Sequence, residues 1–332
     1  MKAWLVRELG GPQAMSLEEV PEPAPMQGLV RIRVAAAAVN FFDSLQLAGL
    51  YQVKPELPFV PGGEVAGTVL EAPRDSGLNR GDRVLAMVQQ GVGLGGYTPI
   101  THAAAATVVR IPDAMPFDEA AAFFVNYQTG WFGLHRRAAL REGETLLVHA
   151  GAGGVGSAAI QLGKAAGARV IATAGSPEKV AVCRKLGAEH AIDYKTEDFA
   201  GAVNRLTDGR GADVVYDPVG GDVFDRSTKC IAWEGRIVVV GFTSGRIPEL
   251  RTNHVLIKNY SVVGLHWGVY NQRDPSLVSA CTRELFKLYE AGKIKPYVSR
   301  RIPLEEAAQA LADVAAGKTT GKVVLLPDGA AG

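Results

Sequence analysis

The glycine-rich segment at residues 151–156, Gly-Ala-Gly-Gly-Val-Gly, has the G-x-G-x-x-G spacing of a turn that binds phosphates. In such a turn the first glycine permits the sharp bend, the second lets a pyrophosphate reach the backbone, and the third lets the helix pack on the strand. The N-terminus of the following helix supplies N–H donors and a partial positive charge. The chemistry predicted is dinucleotide binding, with a purely structural glycine turn as the alternative. The residues predicted to bind are Gly151, Gly153, Gly154, Val155 and Gly156.

The end of the next predicted strand indicates which nucleotide the turn would bind. NAD-selective folds place a carboxylate about 20 residues after the turn, where it binds the ribose hydroxyls. Here the strand at residues 170–173 continues as Ala-Gly-Ser-Pro-Glu-Lys, with no carboxylate at its tip. Ser176 at the helix cap and Lys179 could instead bind a 2′-phosphate, and Tyr194 could flank the same adenosine end. We therefore predict NADP(H); the alternative is that Ser176 only caps its helix and Lys179 is a solvated surface charge.

Two different patterns of secondary structure surround this motif. Residues 28–112 contain short β-like runs broken by turns, which predicts an antiparallel, partly barrel-like β domain with a flexible loop at residues 91–96. From about residue 125, apolar strands alternate with helices, which predicts an α/β domain with a doubly wound parallel sheet. The last predicted strand, residues 322–326, would return to the first domain. We therefore predict a nucleotide-binding domain at 125–266 and a discontinuous domain at 1–124 and 267–332.

Composition narrows the range of partners. Among 332 residues, Lys plus Arg total 35 and Asp plus Glu total 34, so no strong field selects nucleic acid or an anionic membrane. Three widely spaced cysteines without a CxxC pair fit a reducing compartment. The start of the chain does not resemble a signal peptide, and no apolar stretch approaches the roughly 18 residues that span a bilayer. We therefore expect a cytoplasmic protein with small-molecule partners.

Several dispersed motifs occur in the order typical of one known family: V-N-F-F-D at 39–43, G-L-Y at 49–51, P-G-G-E-V-A-G at 61–67, N-Y-Q-T-G-W at 126–131, the turn at 150–156, S-P-E-K at 176–179 and N-Y-S-V-V-G-L-H-W-G at 259–268. The chain resembles the medium-chain dehydrogenase/reductase superfamily over essentially its whole length, in the zinc-free quinone oxidoreductase branch that includes ζ-crystallin. The resemblance implies a Rossmann NADP-binding domain and a GroES-like catalytic domain. It also implies a homodimer that pairs the edge strand near residues 261–264.

The positions that bind zinc in other members of that superfamily carry different residues here. A catalytic zinc needs about three nitrogen or sulfur ligands and one open position. Asn40 stands where those relatives have their first cysteine, and their Gly-His-Glu is Gly62-Gly63-Glu64, without the histidine. The four cysteines of the structural zinc lobe are absent between residues 87 and 98, and the six histidines form no ligand pair at helical spacing. We therefore expect no zinc or other metal.

The activity that the resemblance implies is hydride transfer from NADPH to a quinone or an α,β-unsaturated carbonyl. Such an acceptor is electron-poor, so it needs no Lewis acid, but it must lie flat over the nicotinamide and receive hydrogen bonds on its developing oxyanion. The resemblance makes Asn40 the candidate that orients the acceptor carbonyl or the nicotinamide. Tyr51 could donate to the oxyanion or form an aromatic wall, and Asp43 could fix Asn40 or a nearby cation. Each of the three could instead be a hydrogen-bonded structural residue.

Further cofactor contacts follow from the resemblance. Asn126 and Thr129 are expected at the nicotinamide half, and Phe242 and Thr243 beside the nicotinamide ribose, although Phe242 could simply pack in the core. Lys318 is a second candidate cation for the 2′-phosphate. Two other functions stay open: an enoyl-thioester reductase of the acryloyl-CoA type, and a non-catalytic NADPH-binding sensor or crystallin-like protein.

Overall fold

The structure, a computed structural model, describes residues 1–88 and 95–327 and divides the chain into two compact units. The first unit comprises Met1–Val125 and the chain from Pro296 onward, and the second comprises Asn126–Lys295. Residues 91–94 of the predicted flexible loop lie outside the described residues. None of the helices in 1–88 and 95–327 is long and apolar enough to cross a membrane.

The first unit contains a seven-stranded sheet and a separate two-stranded one. Strands are numbered along the chain, and those of the larger sheet lie in the order β14-β15-β3-β4-β5-β7, with β6 also paired to β3. All its pairings are antiparallel except that of β14 with β15. The strands are β1 Lys2–Val6, β2 Met15–Glu19, β3 Leu29–Val39, β4 Glu64–Glu71, β5 Arg83–Met87, β6 Ile100–Ala104, β7 Val108–Arg110, β14 Val298–Pro303 and β15 Lys322–Leu326.

Strand β3 shows how the first unit forms its core. In β3, Val30, Ile32 and Val34 are buried, while Arg31 and Arg33 between them are more accessible, which is the period-two pattern of a sheet with one dry face. That dry face forms the core of the first unit together with β15 and the last helix. The helices of the first unit are short: α1 Phe41–Leu47, α2 Phe117–Ala121 and α11 Ala307–Ala315.

The second unit is built on a six-stranded parallel sheet in the order β10-β9-β8-β11-β12-β13. The order reverses between β8 and β11, and ligands of such sheets bind beyond the carboxyl ends of the strands at this reversal. The predicted fold class, α/β with a doubly wound sheet and a separate β-rich unit, is confirmed. The strands are β8 Thr145–Val148, β9 Arg169–Ala174, β10 His190–Asp193, β11 Ala212–Asp217, β12 Ile231–Val239 and β13 Ser261–Gly264.

The second unit extends beyond the boundary expected at residue 266. Gln128 Nε2 donates to Val278 O and to Thr282 Oγ1, and the side chain of Gln161 bonds to both backbone groups of Lys295. These bonds hold the chain through Lys295 against the nucleotide unit, and only the part from Pro296 belongs to the first unit. The helices are α3 Phe124–Trp131, which begins at the boundary, α4 Gly154–Ala165, α5 Pro177–Leu186, α6 Phe199–Leu206, α7 Gly221–Ser227, α8 Thr252–Lys258, α9 Tyr270–Arg273 and α10 Pro275–Glu290.

Candidate functional site

The glycine turn lies between β8 and α4, at the reversal of the parallel sheet. A Cβ atom on Gly151 would lie 2.9 Å from both Ala172 Cβ and Cys183 Sγ. A Cβ atom on Gly156 would lie 2.2 Å from the carbonyl oxygen of Ala150. Both glycines are therefore required by packing within the protein itself, one against the neighbouring strand and helix and one against the turn.

Gly153 has different surroundings from these two glycines. It is the N-cap residue of α4, and its φ of −83° and ψ of 179° are open to any residue. A Cβ atom on it would meet only the carbonyl oxygen of Ala150, at 3.3 Å. The surrounding protein therefore does not fill the space at this end of α4, where Gly154 and Val155 form the first helical positions. The turn fits a pyrophosphate that lies against the helix N-terminus.

A buried histidine holds the base of this turn. His149 Nε2 lies 2.8 Å from Ser227 Oγ, and His149 Nδ1 lies 2.9 Å from Thr173 Oγ1. Ser227 donates its only hydroxyl hydrogen to Val223 O at 2.7 Å, so Nε2 must donate and Nδ1 must accept from Thr173. Burial lowers the pKa of His149 to about 3, which keeps the ring neutral. The sequence indicates only that His149 lacks a metal-ligand partner at helical spacing, and gives no signal of the bonds by which it joins β8, β9 and α7.

The residues predicted to bind a 2′-phosphate come together at the tip of β9. Ser176 Oγ accepts the backbone N–H of Lys179 at 3.3 Å and caps α5, as the structural alternative required. The backbone N–H of Tyr194 donates to Ala174 O at 3.1 Å. A Cβ atom on Gly175 would lie 2.6 Å from the Tyr194 hydroxyl, so a larger residue there would push this exposed ring away from the strand tip.

Lys195, which is not among the residues predicted from the sequence, adds a second ammonium group. Burial and then the positive charge of Lys195 lower the pKa of Lys179, so the two side chains are close enough to repel one another. An anion between them would relieve that repulsion. The signal in the sequence was the position of Lys195 directly after Tyr194, at the end of the third strand of this sheet.

The other predicted cofactor residues lie in both units. Phe242 is 39% exposed and does not pack in the core, so the core alternative for it is wrong, and the backbone N–H of Thr243 donates to Pro218 O at 3.1 Å. Asn126 and Thr129 are buried on α3. Lys318 follows α11 in the first unit, where its backbone N–H donates to Asp313 O at 2.9 Å.

A buried polar cluster, comprising Asn40, Asp43, Glu64, Tyr97 and Lys322, lies in the first unit. The backbone N–H of Asn40 donates to Asp43 Oδ2 at 3.0 Å, which caps α1, and the Tyr97 hydroxyl donates to the same oxygen at 3.1 Å. Burial raises the pKa of Asp43 to about 7, although these two bonds and the charge of Lys322 oppose the rise. Asp43 thus fixes the Asn40 backbone, as one alternative predicted.

The Asn40 side chain is held by charged groups at both ends. Lys322 Nζ donates to Asn40 Oδ1 at 2.6 Å, and Asn40 Nδ2 donates to Glu64 Oε2 at 3.2 Å. Glu64 Oε1 accepts the backbone N–H of Val125 at 2.9 Å. Glu64 and Lys322 are not among the site residues predicted from the sequence, although a charge at the first position of each apolar strand is a signal of buried pairing.

Two aromatic side chains lie beside this cluster. A Cβ atom on Gly63 would lie 2.7 Å from Phe42 Cζ, so the Phe42 ring covers the position where zinc-dependent relatives have histidine. The rings of Phe42 and Tyr51 have centroids 5.7 Å apart. Burial and the negative charge of Asp43 raise the pKa of Tyr51, so its phenol keeps its proton. Within residues 1–88 and 95–327, no three His, Cys, Asp or Glu side chains are arranged to hold a metal.

Known proteins are similar to this chain in both sequence and fold. Residues 26–113 match the alcohol dehydrogenase GroES-like domain family, and residues 154–282 match the zinc-binding dehydrogenase family. A quinone oxidoreductase-like protein 2 of Bos taurus is 38% identical over 98% of this chain and 92% of its own length. A 2-haloacrylate reductase of a Burkholderia species is 32% identical over 98% of both chains.

The fold agrees with the sequence comparison. The crystal structure of Escherichia coli quinone oxidoreductase complexed with NADPH superposes with a TM-score of 0.90 and 30% identity, over 98% of this chain and 100% of that one. The chain therefore belongs to the medium-chain dehydrogenase/reductase superfamily, in its quinone oxidoreductase branch. It is an oxidoreductase of that superfamily.

Proposed function

We propose that this protein transfers a hydride from NADPH to a quinone or an α,β-unsaturated carbonyl, without a metal. The observation that carries the proposal is the glycine turn, where the protein leaves the space beside Gly153 open at a helix N-terminus. The tip of β9 supports NADPH over NADH, because the strand itself ends without a carboxylate and the ammonium groups of Lys179 and Lys195 lie near each other there. The Glu178 carboxylate, on the first turn of α5, is hydrogen-bonded to Ser176, and a phosphate bound by that hydroxyl would replace this bond. The NADPH complex of the Escherichia coli relative supports the same cofactor.

The residues of the chain have separate tasks in this proposal. Gly151, Gly153 and Gly156 would hold the pyrophosphate, and Ser176, Lys179, Tyr194 and Lys195 the 2′-phosphate end. NADPH supplies the hydride when it is bound. Asn40 would donate an amide N–H to the acceptor oxygen, and the Tyr51 phenol, which keeps its proton, would be a second donor to the developing oxyanion.

The donor set around Asn40 supports a reaction without zinc. An ammonium nitrogen 2.6 Å from Asn40 Oδ1 already occupies the side of the amide that could ligate a cation. The Phe42 ring covers Gly63, where a second ligand would have to be. Asn40 offers a carboxamide and Gly63 offers no side chain, so neither position supplies a usual ligand of zinc. We expect kcat to be unchanged after dialysis against a chelator, with no stoichiometric zinc by elemental analysis.

The acceptor class is tested by mixing the NADPH complex with candidate acceptors in a stopped-flow spectrometer. We expect 1,2-naphthoquinone or a 2-alkenal to oxidise the bound NADPH. Between these two classes of acceptor, the similarity to a 2-haloacrylate reductase favours the unsaturated carbonyl. Faster oxidation by acryloyl-CoA would replace the proposal with the enoyl-thioester reductase. Tight NADPH binding without oxidation by any acceptor would contradict both enzymes and favour a non-catalytic sensor.

We also propose that the protein is a cytoplasmic homodimer with no nucleic-acid partner. Strand β13 lies at the edge of the parallel sheet, with Val262 and Val263 partly exposed. Leu256 and Ile257 of the preceding helix α8 are 76% and 69% exposed. Pairing of β13 with its copy would bury this apolar edge. The three cysteines are free and buried, which suits a reducing compartment.

A further inference from the structure

The orientation of the Asn40 carboxamide is fixed by the chemistry of its two partners. The Lys322 ammonium can only donate, so it must face the amide oxygen, at 2.6 Å. The Glu64 carboxylate accepts, so it must face the amide nitrogen, at 3.2 Å. Rotating the amide by 180° would place a donor against a donor and an acceptor against an acceptor. The two partners therefore leave one orientation of the amide.

The same two contacts determine what Asn40 can still offer. A carboxamide nitrogen carries two hydrogens. Among the residues the structure describes, Glu64 is the side chain that accepts from Asn40 Nδ2, and it uses one of them. One N–H is left for a ligand. The ammonium on Oδ1 draws electron density from the amide and makes this remaining N–H a stronger donor.

Lys322 is itself held in place from several directions. Its Nζ also donates to Val39 O at 3.2 Å and lies 3.8 Å from Glu64 Oε2. Burial lowers the pKa of Lys322, and the charges of Glu64 and Asp43 raise it. A purely structural role is a poor explanation for this ammonium, because buried ion pairs are often replaced by apolar side chains without loss of stability.

We propose that Lys322 and Glu64 are positioning residues, which hold the Asn40 carboxamide so that its one remaining N–H meets the oxygen of the acceptor. The proposal rests on the proposed reductase function and names residues that act through Asn40. Neither side chain is required to touch the acceptor. Loss of this alignment should lower kcat, because misplacing a catalytic donor by about 1 Å can cost about 100-fold.

The test is a double-mutant cycle between Lys322→Met and Asn40→Ala. We expect Lys322→Met to lower kcat with a quinone by about 10- to 100-fold and to leave the Kd for NADPH unchanged. In the Asn40→Ala background the same change should have no further effect on kcat. Lys322→Arg should restore part of the rate. Independent, multiplicative losses would show that Lys322 does not act through Asn40 and would overturn the proposal.

Two controls keep the cycle interpretable. Lys2→Met removes an exposed lysine of the same unit, 3.4 Å from Glu305, and should leave kcat unchanged. If Lys322→Met fails to fold because Glu64 is left charged and unpaired, Lys322→Met combined with Glu64→Gln removes both charges. The double variant should still show the lower kcat. A double variant with the kcat of the wild type would overturn the proposal.

A second readout separates this proposal from the reductase function. The side-chain ¹H–¹⁵N pair of Asn40 can be assigned by its loss in Asn40→Ala. We expect this pair of signals to be resolved in the wild type, with slow exchange of the amide hydrogens with solvent. In Lys322→Met the exchange should be about tenfold faster, because a factor of ten corresponds to the loss of about one hydrogen bond. Exchange that does not change would refute positioning. Absence of turnover with every acceptor, with the expected change in exchange, would refute the reductase function alone.

Discussion

Gly153 and Gly156 occupy the same turn, and alanine at each should produce opposite phenotypes. In Gly153→Ala the new methyl group meets only Ala150 O, at 3.3 Å, and the backbone conformation suits alanine. Because Gly153 is an N-cap residue, we expect the free energy of unfolding to fall by no more than about 1 kcal/mol. In Gly156→Ala the methyl group lies 2.2 Å from the same oxygen, so the turn must open.

The effect of Gly153→Ala on binding should be much larger than its effect on folding. The methyl group would occupy the space through which the pyrophosphate approaches the helix N-terminus. Losing one charge-assisted hydrogen bond there costs about 1.5–3 kcal/mol, which is roughly a 10- to 150-fold rise in Kd. NADPH and NADH should weaken equally, because both carry the pyrophosphate.

Isothermal titration calorimetry with each nucleotide, paired with urea unfolding, measures both quantities. Gly156→Ala is the matched comparison, and overpacking should lower its free energy of unfolding by about 1–3 kcal/mol or more. Wild-type affinity for NADPH in Gly153→Ala would refute the role of this turn in binding. Wild-type stability in Gly156→Ala would refute the packing argument.

Three further predictions follow from other parts of the molecule. Lys179→Ala should weaken NADPH binding by about 1–3 kcal/mol and barely change NADH binding; equal losses by calorimetry would exclude a 2′-phosphate contact. Burial raises the pKa of Asp43 to about 7, above the roughly 3.9 of an aspartate in an unfolded chain. The folded protein therefore binds the carboxyl proton more tightly than the unfolded chain does, and the free energy of unfolding falls as pH rises from about 4 to 7. Asp43→Asn should therefore lose less stability than the wild type between pH 5 and pH 8 in urea unfolding, and an equal loss would be evidence against a protonated Asp43. Val262→Lys places a charge on the exposed edge strand and should shift the protein towards monomer in sedimentation velocity; an unchanged dimer would remove β13 from the interface.

Local features of the site could be predicted from the sequence. The glycine turn, the cap at Ser176 and the missing carboxylate after β9 are short-range patterns, in which neighbouring residues determine the backbone. The same holds for the alternation of strands and helices that predicts a parallel sheet. The spacing also predicts that Gly153 faces the pyrophosphate and that Gly156 packs inside the protein. What it could not show is which atoms surround each Cβ position, such as the carbonyl oxygen of Ala150 that lies 2.2 Å from a Cβ on Gly156.

Long-range partners could not be predicted in the same way. Lys322 and Asn40 are 282 positions apart, so no local pattern connects them. The same limit applies to the hydrogen bond of His149 with Ser227, 78 positions away. The predicted boundary at residue 266 lies where the last apolar strand of the parallel sheet ends. The chain beyond it stays with the second unit because of side-chain bonds from Gln128 and Gln161, which no pattern in residues 267–295 reveals.

The insertion of β15 between β14 and β3 has a consequence for the order in which the protein can be assembled on the ribosome. All six strands of the parallel sheet come from the continuous stretch between Thr145 and Gly264, so that unit can fold while translation continues. The first unit must wait for residues 322–326, which supply an interior strand and the one cation of its buried polar cluster. Until then Asp43 and Glu64 have no ammonium partner. The half of the protein that is made first is therefore the half that becomes native last.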